Sequence, residues 1–399
     1  MKLSVPPPAA DRAEPEEIAP PVSAQTDNTT TAARQRTQTV AEHPRYAGDL
    51  SEGELLARIF PRLGSGKALL GPGDDAALLA APDGRTVISI DTLVQDQDFR
   101  LAWPGGYRTT GYDVGWKCAA QNLSDINAMG AVPTSLVVSL TLPPNTLLTW
   151  VEDLADGLSA ALRALGAEDC VVAGGDLGRG EILVVTAAVT GGLQGRDPVL
   201  RSGALPGDML AVCGVLGHAA AGLALLDGGT DYASLDGGAR ALTAAQSRPC
   251  PPLVAGPAAA AAGAHAMMDI SDGVVRDAVR LALASEVRID LDPQALLREA
   301  GPLAEAAERL GAKAVDWVLG GGEDHGLLAA FAEGAELPRG FRRIGTVLER
   351  EAEAAHRPGQ ETRGSGRTRS GGTGSGKSAG LVTVGGRAPS AAGWDHFAG

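Results

Sequence analysis

The sequence predicts a mixed α and β protein built as two domains, and three observations carry that expectation. Short runs rich in Val, Ile and Leu alternate with longer segments of helical periodicity from Thr86 to Thr190. A stretch punctuated by Gly and Pro, 193–207, separates this part from a second alternating part. The chain is 399 residues long and 44% apolar, enough to bury two cores.

Residues 1–48 are rich in Pro, Thr, Ala, Glu and Gln with almost no large apolar side chains. Such a segment cannot bury enough surface to offset the entropy of ordering, so a disordered tail is expected. Ser51-Glu52-Gly53-Glu54 opens a helix whose Leu55, Leu56, Ile59 and Phe60 share one face. The first domain, 49–192, continues with a strand from Thr86 to Ile90, a helix from Thr109 to Met129, a strand from Leu136 to Leu142 and a helix from Leu147 to Leu165. Strands from Cys170 to Ala173 and from Ile182 to Val189 complete it.

The second domain, 208–399, begins with a strand from Met209 to Val212 and Ala-rich helices to about Ala262. A strand from Ala266 to Asp269, a helix from Val274 to Ala284 and a strand from Val287 to Leu291 follow. Residues 351–380 are of low complexity and read as a flexible insertion, with order resuming at Leu381-Val382-Thr383-Val384.

The formal net charge of −14 argues against binding nucleic acid or an anionic membrane surface, both of which need a basic face. A small phosphorylated ligand remains allowed, because metal ions bridge anion to anion. Cys118, Cys170, Cys213 and Cys250 are scattered and read as reduced thiols. The start of the chain has no apolar core of signal-peptide length, and no stretch reaches the roughly 18 apolar residues of a membrane span. A cytoplasmic location is the expectation.

One motif misleads. Gly371, Gly376, Lys377 and Ser378 satisfy the phosphate-loop spacing, but Arg367-Thr368-Arg369-Ser370 precedes them where a buried strand belongs and no helix follows. The linker reading is preferred.

Carboxylates carry more information. Asp75, Asp91, Asp125, Asp176, Asp269 and Asp272 all sit where a strand or helix meets a Gly-containing turn or a run of small polar residues. Hard oxygen ligands of this kind suit Mg²⁺, which often takes only one or two per ion. Each singly has a plainer reading: Asp74 suits a turn, and Ser271 or Asp272 suits a helix cap. Asn122 and Asp125 are three apart and share a helix face beside the apolar stripe of Cys118, Ile126 and Met129. An unpaired carboxylate there is unfavourable, which points to a cation or a hydrogen-bonded structural Asp. Gly174-Gly175 before Asp176 permits close approach of backbone to a phosphate, and Arg201 offers a guanidinium fork. The collection suits phosphoryl transfer. If the acceptor is itself a phosphate, with a second pKa near 6, no histidine base is required and the task is to offset repulsion between polyanions.

At this point the motifs resemble a known family. Gly71-Pro72-Gly73-Asp74-Asp75, Asp91-Thr92-Leu93-Val94, Asn122-Leu123-Ser124-Asp125, Gly174-Gly175-Asp176, Arg201-Ser202-Gly203, Asp269-Ile270-Ser271-Asp272-Gly273, Gly321-Gly322-Glu323-Asp324 and Gly393-Trp394-Asp395 are similar, in order, to those of thiamine-monophosphate kinases. The resemblance implies the two-domain fold shared with aminoimidazole ribonucleotide synthetase, whose N-terminal domains pair across a homodimer into a β-barrel. It implies transfer of the γ-phosphoryl of ATP to thiamine monophosphate, giving thiamine diphosphate. By motif, Asp75, Asp91, Asp125, Asp176, Asp269 and Asp272 would hold several Mg²⁺ ions, with Ser89 and Ile90 contributing beside Asp91. Gly175, Asp176, Arg201 and Ser271 would contact ATP; Asp98, Glu323 or Asp324, and Trp394 would contact thiamine monophosphate. Asp98 stands where many relatives carry His, Ile90 where many carry Thr, and His325-Gly326 replaces a frequent Tyr-Glu. Two other readings stay open, a different synthetase of the same fold and a non-catalytic nucleotide-binding protein. Selenophosphate synthetase is disfavoured because no Cys precedes Cys118.

Overall fold

The computed structural model describes residues 45–63, 80–350 and 380–393. Residues 1–44 of the expected tail, 351–379 of the insertion with its phosphate-loop spacing, Asp75 and Trp394 therefore lie outside the described residues. The last residues of the expected tail are ordered instead: Ala47 is buried and its amide donates to the Thr146 carbonyl at 2.8 Å, so the folded part begins a few residues earlier than composition suggests.

The N-terminal part orders α1 (Glu52–Ile59), β1 (Val87–Val94), α2 (Gly111–Ala128), β2 (Val132–Leu142), α3 (Leu148–Ala164), β3 (Val171–Arg179) and β4 (Val184–Gly192). Ser51 and Glu54 form the capping box that starts α1. A second capping box starts α2, where Thr110 Oγ1 accepts from the Asp113 amide at 3.2 Å and Asp113 returns the bond to the Thr110 amide at 2.9 Å. The strands pair in the order β1-β4-β2-β3, with only β2 and β3 parallel. Cys118, Leu123 and Ile126 of α2 pack with Leu93, Leu136 and Val189 of the sheet. Gly115 brings α2 and α3 together, since a Cβ there would lie 2.1 Å from the Leu154 carbonyl.

After the connection come β5 (Met209–Cys213), α4 (His218–Asp227), α5 (Gly237–Ser247), α6 (Ala255–Ala261), β6 (Ala266–Ile270), α7 (Val274–Ser285) and β7 (Val287–Leu291). Then follow α8 (Pro293–Ala300), α9 (Ala304–Leu310), α10 (Ala314–Gly320), β8 (Gly326–Phe331), β9 (Arg342–Glu349) and β10 (Val382–Val384). Their sheet runs β10-β7-β9-β5-β8-β6. Strands β5, β6 and β8 are buried along their whole length, because side chains pack against both faces and no polar alternation is needed. No helix among the described residues is long and apolar enough to cross a membrane. The four cysteines are free, and burial pushes the Cys118 and Cys170 thiols up to about 12.

Two expectations need correction. Gly174-Gly175-Asp176 lies inside β3 and not in a turn beyond it. Gly175 is required there because a Cβ would meet the Val138 carbonyl of β2 at 2.0 Å, so its freedom serves strand pairing. Strand β4 likewise runs past the expected Val189, with Gly191 and Gly192 pairing with Val87 of β1 and with Val132 and Pro133 of β2. Strand pairing over these long-range contacts overrides the local turn signal of glycine.

Candidate active site

Helix α2 joins the halves: it packs on β1 and β4 and also touches β6 and β8. This brings three predicted carboxylates together from three elements. On β1, alternation sends Ser89 and Asp91 toward α2, and Ser89 Oγ donates to Asp125 Oδ2 at 2.5 Å. From β6, Asp269 meets the same helix, its Oδ2 lying 3.4 Å from Ser124 Oγ. Burial pushes Asp91 up to about 7, and the neighbouring Asp125 and Asp269 charges add to the rise. Burial and then Asp269 raise Asp125 as well, against its bond from Ser89 and the more distant Arg201 charge.

The direction of these shifts has chemical content. Three carboxylates converge and none of their hydrogen-bonding or ion-pairing partners here is a lysine or arginine. Among the described residues no three or more His, Cys, Asp or Glu side chains are placed so that together they could hold a metal ion. A hard divalent cation that keeps waters and substrate oxygens in its shell still fits this donor set, because it needs only one or two carboxylates from the protein. Asn122, fully buried one turn before Asp125, leaves its Oδ1 without a donor, an additional hard oxygen close by on α2.

The other predicted residues are distributed unevenly. Asp272 accepts from Arg280 at 2.5 Å at the start of α7. Asp277, which the motif reading missed, is completely buried beneath it, accepts from the Asp272 amide at 3.0 Å and from Arg280 at 2.7 Å, and is pushed up to about 7 by burial and then by Asp269. Its position in the first turn of an amphipathic helix was the available signal. The Ser271 carbonyl accepts from the Glu323 amide at 2.8 Å, which ties the two loops together. Arg201 is exposed and flanked by Leu200, Ser202 and Gly203, which together with His265 line a cleft of about 710 Å³. Ile90 turns its side chain to the other face of the sheet, leaving only backbone on the Asp91 side. Asp98 Oδ2 accepts from the Val94 amide at 2.7 Å and closes the turn after β1. Asp176 is exposed on β3, level with Ser139 of β2, and β3 is the strand farthest from β1 in this sheet. Within one chain it does not join Asp91.

The loop between α10 and β8 separates two adjacent acids. Glu323 and His325 both adopt left-handed backbone, φ 67° and 52°, which non-glycine residues rarely do. Glu323 Oε1 receives Lys117 Nζ at 2.7 Å and Oε2 receives Gln246 Nε2 at 2.7 Å. Burial alone would raise Glu323, but the Lys117 charge and these two bonds hold it below the usual range. Burial alone would lower His325, yet the Asp269 carboxylate, 3.6 Å from Nδ1, and then Glu323 raise it. Asp324 turns inward, and its two oxygens accept from the Gly217 and Ala219 amides at the start of α4. It serves as that helix's cap, a role the sequence did not reveal because Gly217 lies far away in the chain.

Burial pushes Asp324 up to about 7 despite those amides. A carboxyl raised in the folded state adds stability below its unfolded value near 4 and loses that contribution as pH rises through about 7. Between about pH 5 and pH 8 the thermal midpoint of the native chain should therefore fall relative to Asp324→Asn, whose side chain does not titrate. A difference that stays constant over this range would refute the assignment.

Residues 73–193 match the family described as AIR synthase related protein, N-terminal domain. The chain is 48% identical over 282 residues to the thiamine-monophosphate kinase of Mycobacterium tuberculosis strain H37Rv, covering 70% of this chain and 80% of that one. It is 37% identical over 281 residues to the Escherichia coli K12 enzyme, covering 69% and 81%. Among solved structures, the Stenotrophomonas maltophilia thiamine-monophosphate kinase superposes with a TM-score of 0.65 at 31% identity, covering 85% of this chain and 98% of that one. AaThiL complexed with AMPPCP and TMP gives 0.64 at 27% identity, covering 88% and 98%. With 48% identity to one such enzyme over 70% of its length, the chain belongs to the thiamine-monophosphate kinase family.

Proposed function

We propose that this protein transfers the γ-phosphoryl group of ATP directly to the phosphate of thiamine monophosphate, forming thiamine diphosphate and ADP in the cytoplasm. The observation that carries the reading is the meeting of Asp91, Asp125 and Asp269 from both sheets, charges that repel one another beside a separately held Glu323. The acceptor phosphate, with a second pKa near 6, is already largely ionised at neutral pH, so no side chain has to remove its proton. Asp91, Asp125, Asp269 and Asp272 would hold Mg²⁺ here. Bound Mg²⁺ offsets repulsion between the two phosphates and stabilises charge in the transition state. The chain's own work is positional. Ser89 of β1 holds the Asp125 carboxylate on α2, Arg201, exposed beside the cleft-lining Leu200 and Ser202, would take phosphate oxygens, and Glu323, not Asp324, would meet the acceptor.

The reading extends to a homodimer of two-domain chains, 49–192 and 208–399. Ile88 and Ile90 of β1 are 69% and 64% exposed and Val137 of β2 is 43% exposed, an apolar sheet face on the side away from α2. A second copy packed on that face buries its apolar side chains and can bring its own Asp176 toward the first copy's Asp91.

The deciding assay incubates the purified chain with ATP, Mg²⁺ and thiamine monophosphate and follows ADP and thiamine diphosphate. Equal amounts of both products are expected. A folded preparation that binds ATP and forms no diphosphate overturns the assignment.

A further inference from the structure

Lys117 sits in the middle of α2 at only 3% exposure, among side chains that otherwise build the core. Taking an ammonium out of water is strongly unfavourable unless it is paired and hydrogen-bonded. Its two bonds go to Glu323 Oε1 at 2.7 Å and to the Asp98 carbonyl at 3.0 Å. Gln246, at the end of α5 and 5% exposed, holds the other Glu323 oxygen. Because a carboxylate only accepts, that bond orients the amide and leaves Gln246 Oε1 buried without a donor. The Glu323 side chain itself keeps a third of its surface open.

This arrangement is a poor device for stability alone. A buried ion pair is often replaceable by apolar residues of similar volume without loss, whereas removing one partner leaves an uncompensated charge. What the tethers do achieve is orientation: one carboxylate, gripped at both oxygens by two helices on a left-handed backbone, presents its remaining lone pairs outward. Lys117 also grips the Asp98 turn, so the end of β1 and the loop before β8 are held by the same ammonium.

We propose that Lys117 and Gln246 are positioning residues for the acceptor substrate, holding the Glu323 carboxylate as the anchor for the cationic, donor-bearing ring system of thiamine monophosphate. The proposal rests on the reading of Glu323 as an acceptor contact. It makes Lys117 act through Glu323 and not through ATP or the metal-binding acids. Neither residue belongs to the recognised motifs; spacing was the available signal, since Lys117, Gln121 and Asp125 recur every fourth residue along one face of α2.

The test uses the full chain with Lys117→Gln, Gln246→Leu, Glu323→Gln and the Lys117→Gln/Glu323→Gln double variant. Lys117→Gln and Gln246→Leu should each raise the KM for thiamine monophosphate about tenfold, while the KM for ATP stays within about twofold. The double variant should be no worse than Glu323→Gln alone, because the tether has nothing left to hold. If Glu323→Gln leaves the KM for thiamine monophosphate unchanged, the Glu323 reading falls and this proposal with it. If Glu323→Gln raises that KM but Lys117→Gln and Gln246→Leu do not, or shift both substrates equally, only the positioning proposal is overturned. Losses that multiply in the double variant overturn it too. Should Lys117→Gln fail to fold, Gln246→Leu decides between the same outcomes, since it removes the second tether and leaves Lys117 paired.

Discussion

Co-expression of Asp91→Asn and Asp176→Asn chains should restore roughly a quarter of native turnover, although each variant alone is inactive. The expectation follows from strand order. Asp91 lies on β1 and Asp176 on β3, the two outer strands of a β1-β4-β2-β3 sheet, so three inter-strand steps, about 14 Å at about 4.8 Å each, separate them within one chain. If a site takes Asp91 from one chain and Asp176 from its partner, a mixed dimer contains one doubly altered site and one intact site. Random assortment makes about half of the dimers mixed, and half of their sites are whole. A mixture no more active than either parent would show that both acids serve the same chain's site, or that Asp176 is a surface residue of β3.

Asp125→Asn should lower kcat by about 10³ or more while raising the thermal midpoint measured without divalent cation by a few degrees. Asp125 is raised by burial and by Asp269, and Asp91 is in turn raised partly by Asp125, so deleting this charge relieves repulsion in the metal-free protein. Asparagine keeps the shape and an acceptor for the Ser89 hydroxyl. It lacks the charge that a divalent cation requires, so the stabilisation gained on adding Mg²⁺ should shrink together with turnover. Near-native turnover would return Asp125 to the status of a hydrogen-bonded structural acid. Opposite signs for activity and metal-free stability distinguish this outcome from simple misfolding.

Much of the first sheet was readable because its cues are local. The helix from Thr109 to Met129 was expected from its apolar stripe, and the structure adds the Thr110 and Asp113 capping box one residue inside the expected start. Strand β7 runs over the expected Val287 to Leu291. The stretch from 292 to 350 carries no clear periodic signal, and β8 shows why: six consecutive buried residues have no polar alternation to mark them as strand or helix. Of the predicted site, Asp91, Asp125 and Asp269 do come together, although Asp91 lies inside β1, which continues to Val94, and not at the strand end expected at Ile90.

The ordered motifs therefore carried the resemblance to the family and its reaction, and local spacing picked out the acids, since turns, caps and hard oxygen ligands announce themselves within a few residues. Which neighbour in an adjacent pair turns inward, whether a Gly-Gly-Asp run is a turn or a strand, and what a lysine in an apolar face pairs with were decided only by tertiary structure. Asp324 caps a helix that begins at His218, Gly175 answers to the Val138 carbonyl, and Lys117 meets Glu323 across the two halves. The physical reason is common to all three. Each role is set by a partner remote in sequence, and burial turns an unmet hydrogen bond or charge into a penalty large enough to fix the arrangement.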